Sequence, residues 1–239
     1  MQFCIDIGNT SSRVAIFNGR KLIHSQLIQK PEDWKAFVEH HKLSNIAVSN
    51  VSKFDRIPKN ILDLDPLIVN WQTPMPVNIE YDTPETLGSD RICAAVGSHT
   101  LYPNNHVLCI DIGTCIKFEL VKPNGTYSGG NIAPGMSMRF RSLNQGTARL
   151  PLVEPRELQA DLGRSTEEAI RNGVQLGMIC EMDAMIDRLK TLYPNLAVVM
   201  TGGDLTHFEN ALKTPIFAHP LLVLQGLNEI ILFRQSIEA

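Results

Sequence analysis

Leu108–Gly113 reads L-C-I-D-I-G, and Phe3–Gly8 reads F-C-I-D-I-G. In each copy an apolar run leads to an aspartate, Asp111 or Asp6, with a glycine two places on. Asn9 and Thr10 follow the first glycine and Thr114 follows the second, and a fresh apolar run comes after each. The pattern predicts strand, tight glycine turn, strand, since glycine suits a reversal that needs positive φ or close backbone approach. An aspartate just ahead of such a turn is not there for burial, because an unpaired buried carboxylate is costly. Carboxylate oxygens beside exposed turn amides and hydroxyls suit a Mg²⁺-bound phosphate, the oxygens holding the metal and the N–H groups the phosphate. A duplicated hairpin with incidental aspartates is the plainer reading. Recurrence at about a hundred residues favours the first, because it points to two like subdomains facing each other.

The chain has 239 residues, enough for one large domain or two lobes with sizeable cores. A hydrophobic fraction of 44% and a charged fraction of 20% are those of an ordinary globular protein. Net charge is -3 with a pI near 6.2, and no basic stripe occurs, so nucleic acid and acidic membrane surfaces are not the expected partners. The first strand is expected within two residues of Met1, in place of the charged and apolar regions and cleavage site of a signal peptide, and no apolar run reaches the roughly 18 residues of a membrane span. Five cysteines (Cys4, Cys93, Cys109, Cys115, Cys180) form no C-x-x-C pair and sit mostly in apolar runs. The expectation is a cytoplasmic protein with neither a disulfide framework nor a zinc site.

Outward from the twin turns, the first half reads β-β-β-α-β. Gln2–Ile7 and Ser12–Phe17 flank the first turn, Asn18-Gly19 signals a type I′ hairpin, and Leu22–Leu27 is the third strand. Pro31 opens a helix in which Trp34, Phe37 and Val38 recur at helical spacing, and Ile46–Val48 and Leu67–Val69 are short buried strands. A proline-bearing connection, Asn70–Glu80, leads to Y-D-T-P-E-T-L-G-S-D-R at Tyr81–Arg91. Gly88 and Ser89 stand where a helix starts, which places Asp90 and Arg91 in its first turn. The helix dipole welcomes an acid there and explains Asp90 without a site; Arg91 has no such explanation.

The second half repeats the opening around Asp111, with Asn124-Gly125 as another hairpin turn. G-G-N-I-A-P-G at Gly129–Gly135 then reads as a glycine-rich turn running into a helix, a natural anion site. Ser165 and Glu168 make a capping box for a long helix to about Leu192, whose Ile170, Val174, Gly177, Met178 and Met185 form a packing stripe. Leu196–Met200 is a buried strand ending in T-G-G-D at Thr201–Asp204, a second strand-to-helix glycine turn, and an apolar helix over about Leu221–Phe233 closes the fold. There is no G-x-x-x-x-G-K-[ST], so this is not a P-loop protein, and no G-x-G-x-x-G follows the first strand; the absence of G-x-S-x-G and H-E-x-x-H argues against hydrolase and zincin readings.

D-I-G-N-T-S-S-R at Asp6–Arg13, L-G-S-D-R at Leu87–Arg91, D-I-G-T at Asp111–Thr114, G-G-N-I-A-P-G and T-A-R-L-P at Thr147–Pro151 occur in that order. Over residues 3 to 204 the chain resembles the type III pantothenate kinases of the acetate and sugar kinase/Hsp70/actin superfamily. The resemblance implies an α/β fold of two actin-like (ribonuclease H-like) lobes, each a mixed five-stranded sheet flanked by helices, with an ATP cleft between them. The lobes would be residues 1–75 and 76–239, the second carrying the dimerisation helices. The implied reaction is ATP-dependent phosphorylation of pantothenate to 4′-phosphopantothenate, the first step of coenzyme A synthesis, in a homodimer that needs Mg²⁺ and K⁺ or NH₄⁺.

By the same resemblance, Asp6, Ile7, Gly8, Asn9, Thr10, Ser11, Ser12 and Arg13 wrap the ATP phosphates, with Mg²⁺ held through Asp6 and the phosphates. Thr114 also meets ATP, and Asp111 binds the monovalent cation. Gly88, Ser89, Asp90 and Arg91 contact pantothenate, with Asp90 the proton acceptor, and Tyr81 and Thr166 match the remaining substrate positions. The second motif departs from the family's D-x-G-T-A-x-T-x-D: Cys115, Lys117 and Glu119 replace Ala, Thr and Asp. Lys117 either points to the other strand face or puts its ammonium where the monovalent cation would be. Arg13, often Lys in the family, meets phosphate through a fork rather than a point charge. A sugar or acetate kinase, and a non-catalytic relative acting as an accessory factor in transcription, are the competing readings; the retained Asp6, Asp90, Asp111 and Thr114 argue against the second.

Overall fold

A computed structural model describes residues 1–41, 43–52 and 57–238. The chain is mixed α/β, with its strands in two sheets. In the first, the order is β3-β2-β1-β4-β5, built from β1 (Gln2–Ile7), β2 (Ser12–Asn18), β3 (Lys21–Ile28), β4 (Ile46–Asn50) and β5 (Leu67–Ile68). β1 runs antiparallel to β2 and parallel to β4, the proline-started α1 (Pro31–His40) lies between β3 and β4 in the chain, and the short α2 (Lys59–Leu62) lies between β4 and β5. β1 is buried on both faces, as its unbroken apolar run requires. Phe3, Ile5 and Ile7 pack with Phe37 of α1, while Cys4 on the other face packs with the helices described below.

The second sheet has six strands rather than the expected five, in the order β11-β10-β7-β8-β9-β6. Its members are β6 (Asn78–Ile79), β7 (His106–Ile112), β8 (Cys115–Val121), β9 (Thr126–Pro134), β10 (Leu196–Thr201) and β11 (Phe217–Ala218). The two sheet ends, β6 and β11, are two residues long, too short for an alternation to show in sequence.

The two sheets part in the chain between Ile68 and Asn78, but the compact units do not follow the sheets. One compact unit is Met1–Val107 with Glu119–Gly129 and Leu221–Ala239, and the other is Leu108–Phe118 with Gly130–Pro220. The terminal helix α6 (Leu222–Glu238) therefore belongs with the first sheet, where it packs along α3 (Ser89–Leu101) and against β1 and β4. Two glycines allow that contact. A Cβ on Gly226 would collide with the Cys93 carbonyl, and one on Gly97 would stand 2.7 Å from the Leu222 carbonyl. Ile92, Ala95 and Val96 meet Leu224, Leu227 and Ile230 in the resulting core.

Three turns differ from their sequence reading. Asn18 pairs with Lys21, so Gly19 and Arg20 make the turn and only Gly19 takes positive φ (59°). The Asn124-Gly125 signal is a longer loop closed between Lys122 and Thr126, with Gly125 at φ 78°. Gly129-Gly130 is no turn at all: β9 runs through both to Pro134, and α4 (Met136–Gln145) starts from Gly135. α5 (Thr166–Leu192) is capped as expected by Ser165 Oγ, which accepts the Glu168 N–H, whereas the Glu168 carboxylate accepts the N–H of Arg164. Its buried stripe is Ile170, Val174, Met178, Met182 and Ile186. After β10, T-G-G-D leads into a single 3₁₀ turn, Leu205–His207, and not a helix.

Candidate active site

α3 begins where L-G-S-D-R places it. Gly88 is the N-cap residue, and its carbonyl accepts the N–H groups of Arg91 and Ile92 at 3.1 and 3.2 Å. A Cβ at Gly88 would stand 2.6 Å from Asp90 Oδ1, so a bare backbone leaves that carboxylate its position. Asp90 Oδ1 accepts the Arg91 N–H at 2.8 Å, a favourable place for an acid in a helix's first turn. Ser89 fastens the helix start to β4: its Oγ accepts the Asn50 N–H at 2.9 Å and lies 3.2 Å from Ser49 Oγ. One turn along, Cys93 is fully buried. Burial pushes its thiol well above the ordinary range, and the charges of Asp6 and Asp90 push the same way. Those two aspartates, 84 positions apart, therefore bear on one buried residue.

Arg91 turns away from Asp90. Its Nε and Nη2 donate to Glu119 Oε1 and Oε2 at 2.6 and 2.9 Å, and the pair is almost wholly buried. Tyr127 completes the group by donating its hydroxyl to Glu119 Oε2 at 2.6 Å. The Tyr81 hydroxyl lies 3.4 Å from Arg91 Nη1, and the guanidinium carbon sits 5.5 Å from the Tyr81 ring centre. Burial alone would lower the guanidinium's proton affinity; hydrogen bonding and charge from Glu119 outweigh it and raise it. The Tyr127 hydroxyl is held above its usual range by burial first and then by the Glu119 charge. A buried arginine demands an acid, and Glu119 is the acid of β8, which is the signal that sequence reading had for this partner. Tyr127 gave none.

The first acidic hairpin has the expected form. Asp6 pairs with Arg13 and Ile7 with Ser12, and the Gly8 N–H donates to the Ser11 carbonyl at 3.0 Å. Asn9, Thr10 and Ser11 are exposed at its tip. Acid and base thus stand opposite each other beneath an exposed turn.

The second hairpin is tighter. The Gly113 N–H donates to the Cys115 carbonyl at 3.0 Å, which sets Lys117 across from Asp111. Lys117 Nζ lies 2.6 Å from Asp111 Oδ2, with only 16% and 12% of the two side chains exposed. The sequence leaves both faces open to Lys117; the short turn sets the register that brings it to the aspartate. The turn at Gly202, with φ 103°, covers the other side, since a Cβ there would stand 2.6 Å from Asp111 Oδ1. Gly135 donates its N–H to the Thr114 carbonyl at 3.1 Å, so the start of α4 rests on the hairpin tip. Thr166 is the exposed first residue of α5.

A family model described as type III pantothenate kinase matches residues 2–188. A protein of Bacteroides fragilis named type III pantothenate kinase is 41% identical over 236 residues, covering 97% of each chain. The chain belongs to the type III pantothenate kinase family. Among solved structures, a Campylobacter jejuni protein of the Baf family covers 99% of this chain and 100% of its own at TM-score 0.64 and 22% identity. The activator of the 2-hydroxyisocaproyl-CoA dehydratase from Clostridium difficile, with bound ADPNP, covers 99% and 96% at TM-score 0.60 and 16% identity. At those identities the likeness is one of fold.

For a type III pantothenate kinase the resemblance placed a monovalent cation at Asp111. The donor set there does not fit a free one, because the Lys117 ammonium already stands against the carboxylate. A second positive charge at the same oxygens would meet strong like-charge repulsion. The set at Asp6 does fit Mg²⁺. That ion takes hard oxygen ligands, commonly one or two carboxylates with substrate phosphates and water, and Asp6 with its turn supplies that much. Among the described residues there is no cluster of three or more metal-ligating side chains, so the phosphates would complete the coordination.

Proposed function

We propose that this chain transfers the γ-phosphoryl group of ATP to the primary hydroxyl of pantothenate, giving 4′-phosphopantothenate, the first step of coenzyme A synthesis. One observation carries the reading: Asp6 stands beside Ser49 across β1 and β4, and the Ser49 hydroxyl lies 3.2 Å from that of Ser89, the neighbour of Asp90 in the first turn of α3. A phosphate-side carboxylate and an acceptor-side carboxylate are what a kinase needs within reach of each other.

Phosphoryl transfer asks little covalent chemistry of a protein, and positioning with charge neutralisation does most of it. Residues Asp6 to Arg13 wrap the phosphates, the turn amides donating to phosphate oxygens and Arg13 offering a planar fork. Thr114 contacts the nucleotide as well. Asp6 would hold Mg²⁺ together with the phosphates, and the ion would supply neutralisation of the charge that develops on the transferring group. Gly88, Ser89, Asp90, Arg91, Tyr81 and Thr166 serve pantothenate. As the hydroxyl oxygen bonds to phosphorus and the bond to ADP breaks, the hydroxyl proton passes to the Asp90 carboxylate. An aspartate is a far weaker base than an alkoxide, so that proton moves late and Asp90 acts first as an aligner. Arg91 keeps its place through Glu119. The protein works in the cytoplasm as a homodimer; among the described residues no helix is long and apolar enough to cross a membrane.

The test is pantothenate-dependent ADP release from Mg-ATP by wild type and Asp90→Asn. Wild type should turn over pantothenate, and Asp90→Asn should lose two to four orders of magnitude in kcat with nucleotide binding kept, on the order of general-base contributions. No pantothenate-dependent ADP from folded wild type overturns the reading, and wild-type turnover by Asp90→Asn removes that residue from the role.

A further inference from the structure

We infer that the Lys117 ammonium is a built-in substitute for a dissociable monovalent cation, so that this kinase runs without K⁺ or NH₄⁺. The inference rests on the kinase reading above and concerns one of its cofactors. Its ground is the ion pair across the second hairpin, where Lys117 Nζ lies 2.6 Å from Asp111 Oδ2.

Three features make the pair a filled cation position. The Gly113–Cys115 hydrogen bond fixes the register that sets Lys117 across from Asp111, so the backbone holds the lysine on the aspartate's face of the hairpin. Both side chains are largely buried, so the ion pair is poorly screened and salt competes with it weakly. The Gly202 turn closes over Asp111 Oδ1, leaving the carboxylate between a backbone and a lysine. A lysine head is an ammonium ion with one hydrogen replaced by carbon, bearing the same single charge and three N–H donors. A tethered ion also avoids the loss of translational freedom that capture of a free one entails.

The charge at this position is therefore constant, whereas a dissociable ion would make it depend on the surrounding salt. Lys117 touches neither reacting atom in this account. It is a positioning residue that keeps the Asp111 carboxylate neutralised and the D-I-G-T turn, with Thr114 at its tip, in one conformation.

The experiment measures ADP release with Mg-ATP and pantothenate in Tris buffer free of K⁺, Na⁺ and NH₄⁺, and again with 100 mM KCl, NH₄Cl or choline chloride, on the order of physiological ionic strength. Wild type should change less than twofold between salts. Lys117→Thr, which empties the position, should lose at least tenfold without K⁺ and regain most of it with K⁺ or NH₄⁺ but not choline. Lys117→Met, which keeps the stem and drops the charge, should be low in every salt. Thermal melts supply a readout apart from turnover: K⁺ should raise the Tm of Lys117→Thr over choline and leave wild type unmoved. Tenfold or greater activation of wild type by K⁺ overturns the inference whether or not the variants fold. So does folded Lys117→Thr that is fully active without K⁺, or inactive and unrescued with it. Wild type inactive on pantothenate in every salt is a different failure, that of the kinase reading, and the melts still decide whether the position takes K⁺.

Discussion

The Arg91 guanidinium and the Glu119 carboxylate meet fork to fork, two hydrogen bonds deep inside the first unit, with 7% and 1% of the side chains exposed. The pair links α3, which carries Asp90 in the same turn as Arg91, to β8 and through Tyr127 to β9. Removing one member of a buried pair leaves the other charge unpaired, which costs about 3–5 kcal/mol. Glu119→Gln should therefore lose about 3 kcal/mol or more in urea denaturation, with kcat falling because the first turn of α3 loosens. Arg91→Lys should not rescue it, since an ammonium cannot span both oxygens. An unfolding midpoint for Glu119→Gln equal to wild type would show that the pair does not hold the helix start.

Gly226 against the Cys93 carbonyl gives a second expectation with a sign opposite to the usual one. Within an exposed helix, glycine to alanine gains about 1 kcal/mol of helix propensity. Here the new methyl would collide with the α3 backbone, so Gly226→Ala should instead destabilise by about 1–3 kcal/mol, the range for overpacked cores. Because α6 supports α3 along its length, kcat should fall with stability. Gain of stability in Gly226→Ala would mean that the two helices separate freely.

These two relationships mark where sequence reading stops. The twin D-I-G turns, the helix start at Gly88 and the cap at Ser165 were legible because each depends on neighbours within a few residues. Glycine-rich stretches misled: Gly129-Gly130 lies within β9, since a glycine pair permits a turn without requiring one. The placement of α6 on α3 is a contact between segments more than a hundred residues apart, and an apolar face does not name its partner. The orientation of Lys117 hung on the exact length of the β7–β8 turn, and one residue of register reverses a strand's faces. Arg91 was legible as odd, and only the structure gives it Glu119.

Histidine burial sets a pH dependence. His99, on α3, has a buried Nδ1 that accepts no hydrogen bond, and burial lowers its proton affinity; burial lowers that of His219 also. A histidine whose folded pKa lies below its unfolded value near 6.5 binds protons better when unfolded. Stability from such a group is present above that value and is lost as pH falls through it. The Tm of wild type should drop by several degrees more between pH 7.5 and pH 5, on either side of that value, than that of the double variant His99→Gln, His219→Gln. Parallel Tm profiles for the two proteins would refute the assignment.

Ser89 separates support from substrate contact. Its Oγ accepts the Asn50 N–H and lies against Ser49 Oγ, so it ties the start of α3 to the end of β4. Ser89→Ala leaves a partly buried N–H without its acceptor, at a cost of about 1–3 kcal/mol. Ser49→Ala removes one hydroxyl of the same pair and leaves the Asn50 bond in place, so its loss should be smaller, about 1 kcal/mol. The kinetic contrast is the informative one. If Ser89 meets pantothenate as well as β4, Ser89→Ala should raise the KM for pantothenate at least tenfold with the KM for ATP unchanged, while Ser49→Ala leaves both near wild type. Equal pantothenate KM values in the two variants would confine Ser89 to holding the helix.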